Sequence, residues 1–102
     1  MTRSIAVLGG TGPEGFGLAR RWAKAGETVI IGSRDAKRAQ EAADRIKTSV
    51  SNAQVSGEEN SVACAATDVV VLTIPFEGHA ALLKQIKPVI RPGSIVVDAT
   101  VP

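Results

Sequence analysis

Short runs of apolar residues alternate along the chain with longer stretches whose apolar positions recur every three or four residues. Continuous β-branched runs suit strands covered on both faces of a parallel sheet, whereas the longer spacing suits helices packed on that sheet. Four strands are predicted at Ser4 to Leu8, Thr28 to Ile31, Val69 to Ile74 and Ser94 to Val97. A weaker fifth lies around Gln54 to Ser56. The first helix, Gly15 to Ala25, puts Leu18, Ala19, Trp22 and Ala23 on one face, with Gly26 placed to close it. The second, Ala36 to Lys47, turns Ala39, Ala42, Ala43 and Ile46 inward. Val62, Ala63 and Ala66 are the inward positions of a third helix, Glu58 to Ala66. Leu82, Leu83 and Ile86 are those of a fourth, Gly78 to Lys87, which has Lys84 and Lys87 near its end and Pro88 as its stop.

Strand and helix thus alternate throughout, and right-handed crossovers wind such units into one sheet. The expected fold is α/β, a three-layer Rossmann arrangement with a parallel sheet of about five strands in the order 3-2-1-4-5. Residues 1–102 make one domain, since a chain of 102 residues supports a single core. The last residues, Asp98 to Pro102, fall where the fifth strand hands over to a loop, a natural domain boundary.

Charge narrows the partners. Twelve basic against ten acidic residues give a formal +2, too small and too dispersed for a nucleic-acid or membrane surface. Cys64 is the single cysteine, so neither an internal disulfide nor a metal cluster is expected. The apolar run from Ile5 to Leu8 is too short for a signal peptide or a span. A cytoplasmic protein acting on small molecules is the expectation.

The chemistry concentrates in a glycine-rich loop between the first strand and first helix. Gly10-Thr11-Gly12-Pro13-Glu14-Gly15 has the spacing G-x-G-x-x-G in the context that gives the motif meaning. Gly10 permits the tight turn, Gly12 lets a pyrophosphate approach the backbone, and Gly15 lets helix and strand pack closely. The helix start then offers free amides and a positive dipole end. Pro13 brings no N–H, and Glu14 brings a carboxylate close to the phosphates; both are also ordinary residues for a first helical turn.

About twenty residues past such a loop, an acidic side chain normally accepts from the adenosine 2′-hydroxyl of NAD. Here the second strand ends in Gly32-Ser33-Arg34 instead. A hydroxyl and a guanidinium suit a 2′-phosphate, with Thr11 close enough to assist and Lys37 or Arg38 adding charge. The expected cofactor is therefore NADP(H). An alternative leaves Ser33 or Asp35 as the cap of the second helix and the bases as solvated surface. No catalytic or metal-ligating set stands out. His79 is the single histidine, Asp98 ends the fifth strand at the carboxyl edge, and Cys64 and Trp22 read as core.

The run G-G-T-G-x-x-G-x-G, then V-I-I-G-S-R, then V-V-V-L-T-I-P-F-E at Val69 to Glu77 resembles the N-terminal lobe of the NADPH-dependent coenzyme F(420) reductases. The resemblance covers nearly the whole chain. It implies that Thr11, Ser33 and Arg34 grip the 2′-phosphate, while Thr73, Ile74, Pro75 and Phe76 border the nicotinamide, with His79 close by. Ala99 to Pro102 would lie near the carboxamide. It further implies hydride transfer between NADP(H) and an 8-hydroxy-5-deazaflavin co-substrate. A second, helical lobe absent from these 102 residues would supply dimer contacts, making a full-length form a homo-oligomer. Two other functions fit the same residues: a non-catalytic NADP(H)-binding sensor or regulatory module, and the cofactor half of another NADP-dependent reductase, such as an imine or ketone reductase.

Overall fold

A computed structural model describes residues 4–73 and 79–98. The elements run β1 (Ser4–Leu8), α1 (Pro13–Lys24), β2 (Thr28–Ser33), α2 (Ala36–Ser49), β3 (Val55–Glu59), α3 (Asn60–Ala65), β4 (Val69–Leu72), α4 (His79–Ile86) and β5 (Ile95–Asp98). The five strands form one sheet in the order β3-β2-β1-β4-β5, every pair parallel. This is the expected Rossmann order.

Alternation along β1 explains the three layers. Val7 points to the face where Ala19 and Ala23 of α1 and Ala39, Ala42, Ala43 and Ile46 of α2 bury themselves. Ala6 and Leu8 point to the other face, with Ala63 and Cys64 of α3 and Leu82 and Ile86 of α4. Alanine dominates the first helical layer because small side chains let helices lie close to the sheet. At Gly57 in β3 the approach is so close that a Cβ would run into the Ala39 backbone. Glycine disfavours strands, which is why the sequence made β3 look weak and short; the strand nevertheless extends to Glu59. Gly26, at φ +90°, closes α1 as expected, its amide donating to the Ala23 carbonyl.

Three expectations about burial need correction. Val62 is 48% exposed, and on α3 it is Ala63 and Cys64 that face the core, because the helix is only six residues long and starts two residues late. Ala66 is likewise exposed, just past the helix end. On α4, Leu82 and Ile86 are buried whereas Leu83 is 39% exposed. The fifth strand is not covered on both faces: Ile95, Val96 and Val97 are 56%, 44% and 45% exposed, for β5 is an edge strand and no described helix lies over it. Several ends also shift. α1 begins at Pro13 rather than Gly15, and β4 ends at Leu72 rather than Ile74.

Candidate nucleotide-binding site

The carboxyl ends of β1, β2 and β4 meet where the chain turns from β1 into α1. Gly9, at φ +78°, and not Gly10 as expected, makes the turn in a conformation other residues rarely adopt. The Gly9 and Gly10 amides both donate, at 3.0 Å, to the Gly32 carbonyl at the end of β2. The loop is thus tied to the end of β2, which Ser33 closes and Arg34 follows. On the β4 side, the Thr73 hydroxyl donates to the Leu8 carbonyl at 2.7 Å, and the Thr73 amide donates to the same oxygen at 3.0 Å.

The motif glycines answer to different constraints. A Cβ on Gly10 would lie 2.8 Å from Ile31 Cγ2 and from the Val7 carbonyl oxygen. On Gly15 it would lie 2.5 Å from Thr73 Oγ1 and 2.8 Å from the Gly9 carbonyl oxygen. Both are therefore required by the protein's own packing. A Cβ on Gly12 would meet nothing closer than the Gly9 carbonyl oxygen at 3.6 Å, and Gly12 has an ordinary extended conformation (φ −77°, ψ 164°). Packing does not explain this glycine. The space it leaves open is what a pyrophosphate resting on the helix start needs.

Backbone donors support the same use. The Gly12 amide donates to the Gly9 carbonyl and the Phe16 amide to the Gly12 carbonyl, whereas those of Thr11, Glu14 and Gly15 donate to no backbone carbonyl among the described residues. Unpaired amides at a helix start are the donors an anion takes up. Gly12 caps α1 with no side-chain hydrogen bond, so no hydroxyl or carboxylate competes for them. Pro13 and Glu14 are exposed in the first turn.

At the end of β2, Ser33 is buried and its hydroxyl accepts from the Asp35 amide at 3.3 Å. Asp35 caps α2 by accepting from the Lys37 amide at 2.9 Å. The helix start is therefore satisfied by Asp35, and the exposed Arg34 side chain is not needed for it. Lys37 and Arg38 stand exposed in the first turn of α2. Thr11 is half-buried in the loop.

The structure brings the glycine loop, Ser33 to Arg34 and Thr73 to one sheet edge. The Thr73 hydroxyl gives its proton to the Leu8 carbonyl and keeps its acceptor lone pairs. Ile74, Pro75, Phe76 and Ala99 lie outside the described residues, and His79 opens α4. Among the described residues no group of histidine, cysteine, aspartate or glutamate could hold a metal ion, and no helix is long and apolar enough to cross a membrane. Burial pushes the Cys64 thiol above its ordinary pKa, which suits packing rather than chemistry.

The sequence drew no attention to Asn60. It is only 3% exposed, its Oδ1 has no hydrogen-bond partner, and a Cβ on Gly32 would sit 2.7 Å from that oxygen. A buried amide oxygen without a partner costs about 1–3 kcal/mol. An asparagine at a helix start reads in sequence as an ordinary cap, so nothing in the pattern distinguishes it.

Residues 4–102 match the family model described as NADP oxidoreductase coenzyme F(420)-dependent. The F(420)-dependent NADP reductase of Methanothermobacter thermautotrophicus is 46% identical over 104 residues, covering 100% of this chain and 44% of that protein. The reductase of the same name from Methanocaldococcus jannaschii is 44% identical over 102 residues, covering 96% of this chain and 45% of that one. The chain therefore spans less than half the length of these curated relatives. Among solved structures, a lactate dehydrogenase of Cryptosporidium parvum complexed with lactic acid and β-nicotinamide adenine dinucleotide superposes with a TM-score of 0.80 at 23% identity, covering 100% of this chain and 38% of that one. A lactate dehydrogenase from a Medee basin deep-sea metagenome library gives 0.81 at 17% identity, with 99% and 38% covered. These two share the Rossmann-type fold of this chain. From the family match and the relatives, the chain belongs to the coenzyme F(420)-dependent NADP oxidoreductase family.

Proposed function

We propose that residues 1–102 form the NADP(H)-binding lobe of a reductase that moves hydride between NADPH and coenzyme F(420). The observation that carries this is the Gly32 carbonyl, which holds the Gly9 and Gly10 amides and so ties the phosphate loop to the residue that precedes Ser33 and Arg34. A pyrophosphate at Gly12 and a 2′-phosphate at Ser33 and Arg34 are then held by one rigid unit. Thr11, Glu14 and Gly15 offer amides to the pyrophosphate, and Gly12 makes room for it. Arg34 takes the 2′-phosphate in a bidentate grip, assisted by Thr11, with Lys37 and Arg38 adding positive field. Thr73, Ile74, Pro75, Phe76, His79 and Ala99 are assigned to the nicotinamide half.

When bound, NADP(H) supplies the hydride and the deazaflavin accepts or returns it. The chain's part is orientation, because hydride transfer needs the two rings held at about 3–3.5 Å. The names of the relatives support the deazaflavin as partner. The remainder of its site, and the contacts of a homo-oligomer, are assigned to polypeptide beyond these 102 residues. The cytoplasm is the proposed location.

Calorimetric titration with NADPH and NADH tests the cofactor assignment. NADPH is expected to bind about a hundredfold tighter, and Arg34→Ala is expected to erase most of that preference. Equal affinity for both nucleotides overturns the 2′-phosphate assignment. For a full-length form, NADPH binding without deazaflavin reduction removes the named co-substrate and keeps the binding function.

A further inference from the structure

Asn60 follows the last residue of β3, and the register pairs Ser33 of β2 with Glu59. Its carboxamide lies against the α-carbon of Gly32, where a Cβ would come within 2.7 Å of Oδ1. The next two residues along β2 are Ser33 and Arg34, and the Gly32 carbonyl anchors the glycine loop. Asn60 therefore touches the one residue that joins the two phosphate subsites.

Nothing among the described residues accounts for an amide there. Oδ1 is buried without a partner, no hydrogen bond of the Asn60 side chain is formed with the described residues, and α3 is capped at Glu59 without a side-chain bond. An apolar side chain of the same shape would fill the position without leaving a polar atom unsatisfied. The 2′-phosphate is borne by the adenosine ribose, so a ligand seated on Ser33 and Arg34 brings its adenosine to this edge of the sheet. A carboxamide shows a donor and an acceptor side by side, and rotation about its last bond exchanges them. That is the pattern that pairs with the edge of adenine.

We propose that Asn60 is a recognition residue for the adenosine of the dinucleotide, its buried carboxamide turning to hydrogen-bond the base when the cofactor binds. The proposal rests on the NADP(H) assignment above but concerns a part of the ligand common to NADP(H) and NAD(H). Arg34 and Asn60 thus predict different signatures.

The test is calorimetric titration of wild type, Asn60→Leu and Arg34→Ala with NADPH, NADH and 2′,5′-ADP, with Tm measured for each variant. Asn60→Leu is expected to weaken all three ligands by about tenfold, with Tm at or above wild type. Arg34→Ala is expected to weaken only NADPH and 2′,5′-ADP. If Asn60→Leu binds all three within about twofold of wild type, the proposal is overturned while the cofactor assignment stands. Should that variant not fold, the side-chain amide resonance of Asn60 in the ¹⁵N-labelled wild type decides. A large shift on adding 2′,5′-ADP supports the proposal, and an unmoved resonance overturns it. A wild type that binds none of the three ligands overturns the cofactor assignment and this inference together.

Discussion

The Thr73 hydroxyl donates to the Leu8 carbonyl at 2.7 Å, joining the carboxyl ends of β4 and β1 directly beneath the first turn of α1. The same oxygen receives the Thr73 amide, so the hydroxyl is a second bond and not the sole one. Thr73→Val keeps the shape and the amide bond. It is expected to cost about 1 kcal/mol, read as a Tm drop of about 4–8 °C. If Thr73 instead donated to the ligand, the variant would lose NADPH affinity with little change in Tm.

Gly12 and Gly15 separate binding from folding. Gly15→Ala drives a methyl against Thr73 Oγ1 and the Gly9 carbonyl, and is expected to cost about 1–3 kcal/mol in denaturant unfolding. Gly12→Ala meets only an oxygen at 3.6 Å, so its cost is expected to stay near 0.5 kcal/mol, the weaker cap that alanine makes. Its NADPH affinity is expected to fall by about tenfold, because the methyl takes the space of the pyrophosphate. Unchanged NADPH affinity in a folded Gly12→Ala protein would contradict the assignment.

Glu14 acts in two opposing ways. Exposed in the first turn of α1, it complements the helix dipole, worth about 0.3–1 kcal/mol. The same charge repels a pyrophosphate on that turn. Glu14→Gln is therefore expected to lower Tm slightly while tightening NADPH binding about threefold at low salt, with the gain shrinking as salt screens the charge. Titrations at two ionic strengths check both signs.

Cys64 sets a pH limit. Burial raises its thiol pKa in the folded protein above the ordinary value of 9.0, so the folded form keeps its proton where the unfolded form has lost it. Stability from this source is intact below about pH 9 and falls as pH rises from there toward the folded pKa. Denaturant melts at pH 8 and pH 10 are expected to show the decline, and Cys64→Ala to show less of it. A thiol reagent should reach Cys64 only as fast as the domain opens, since the side chain is fully buried.

The order of the sheet and the seat of the glycine loop were decided by the sequence alone. Continuous β-branched runs and an apolar period of 3.6 residues are local properties, and Gly10 to Gly15 between a strand and a helix leave little freedom in where a phosphate can lie. Gly32-Ser33-Arg34 likewise declares its charge in one dimension. Only the tertiary structure showed what crowds Gly10 and Gly15 while Gly12 stays open, since Ile31 and Thr73, which stand against them, are remote in sequence from the glycine each crowds. It also turned Val62 and Leu83 outward and left β5 uncovered, outcomes set by which neighbours a face meets rather than by its own pattern. Asn60 is the clearest case. Its meaning lies in an oxygen that finds no partner against Gly32, and pairing is a property of the space around an atom, which no local spacing encodes.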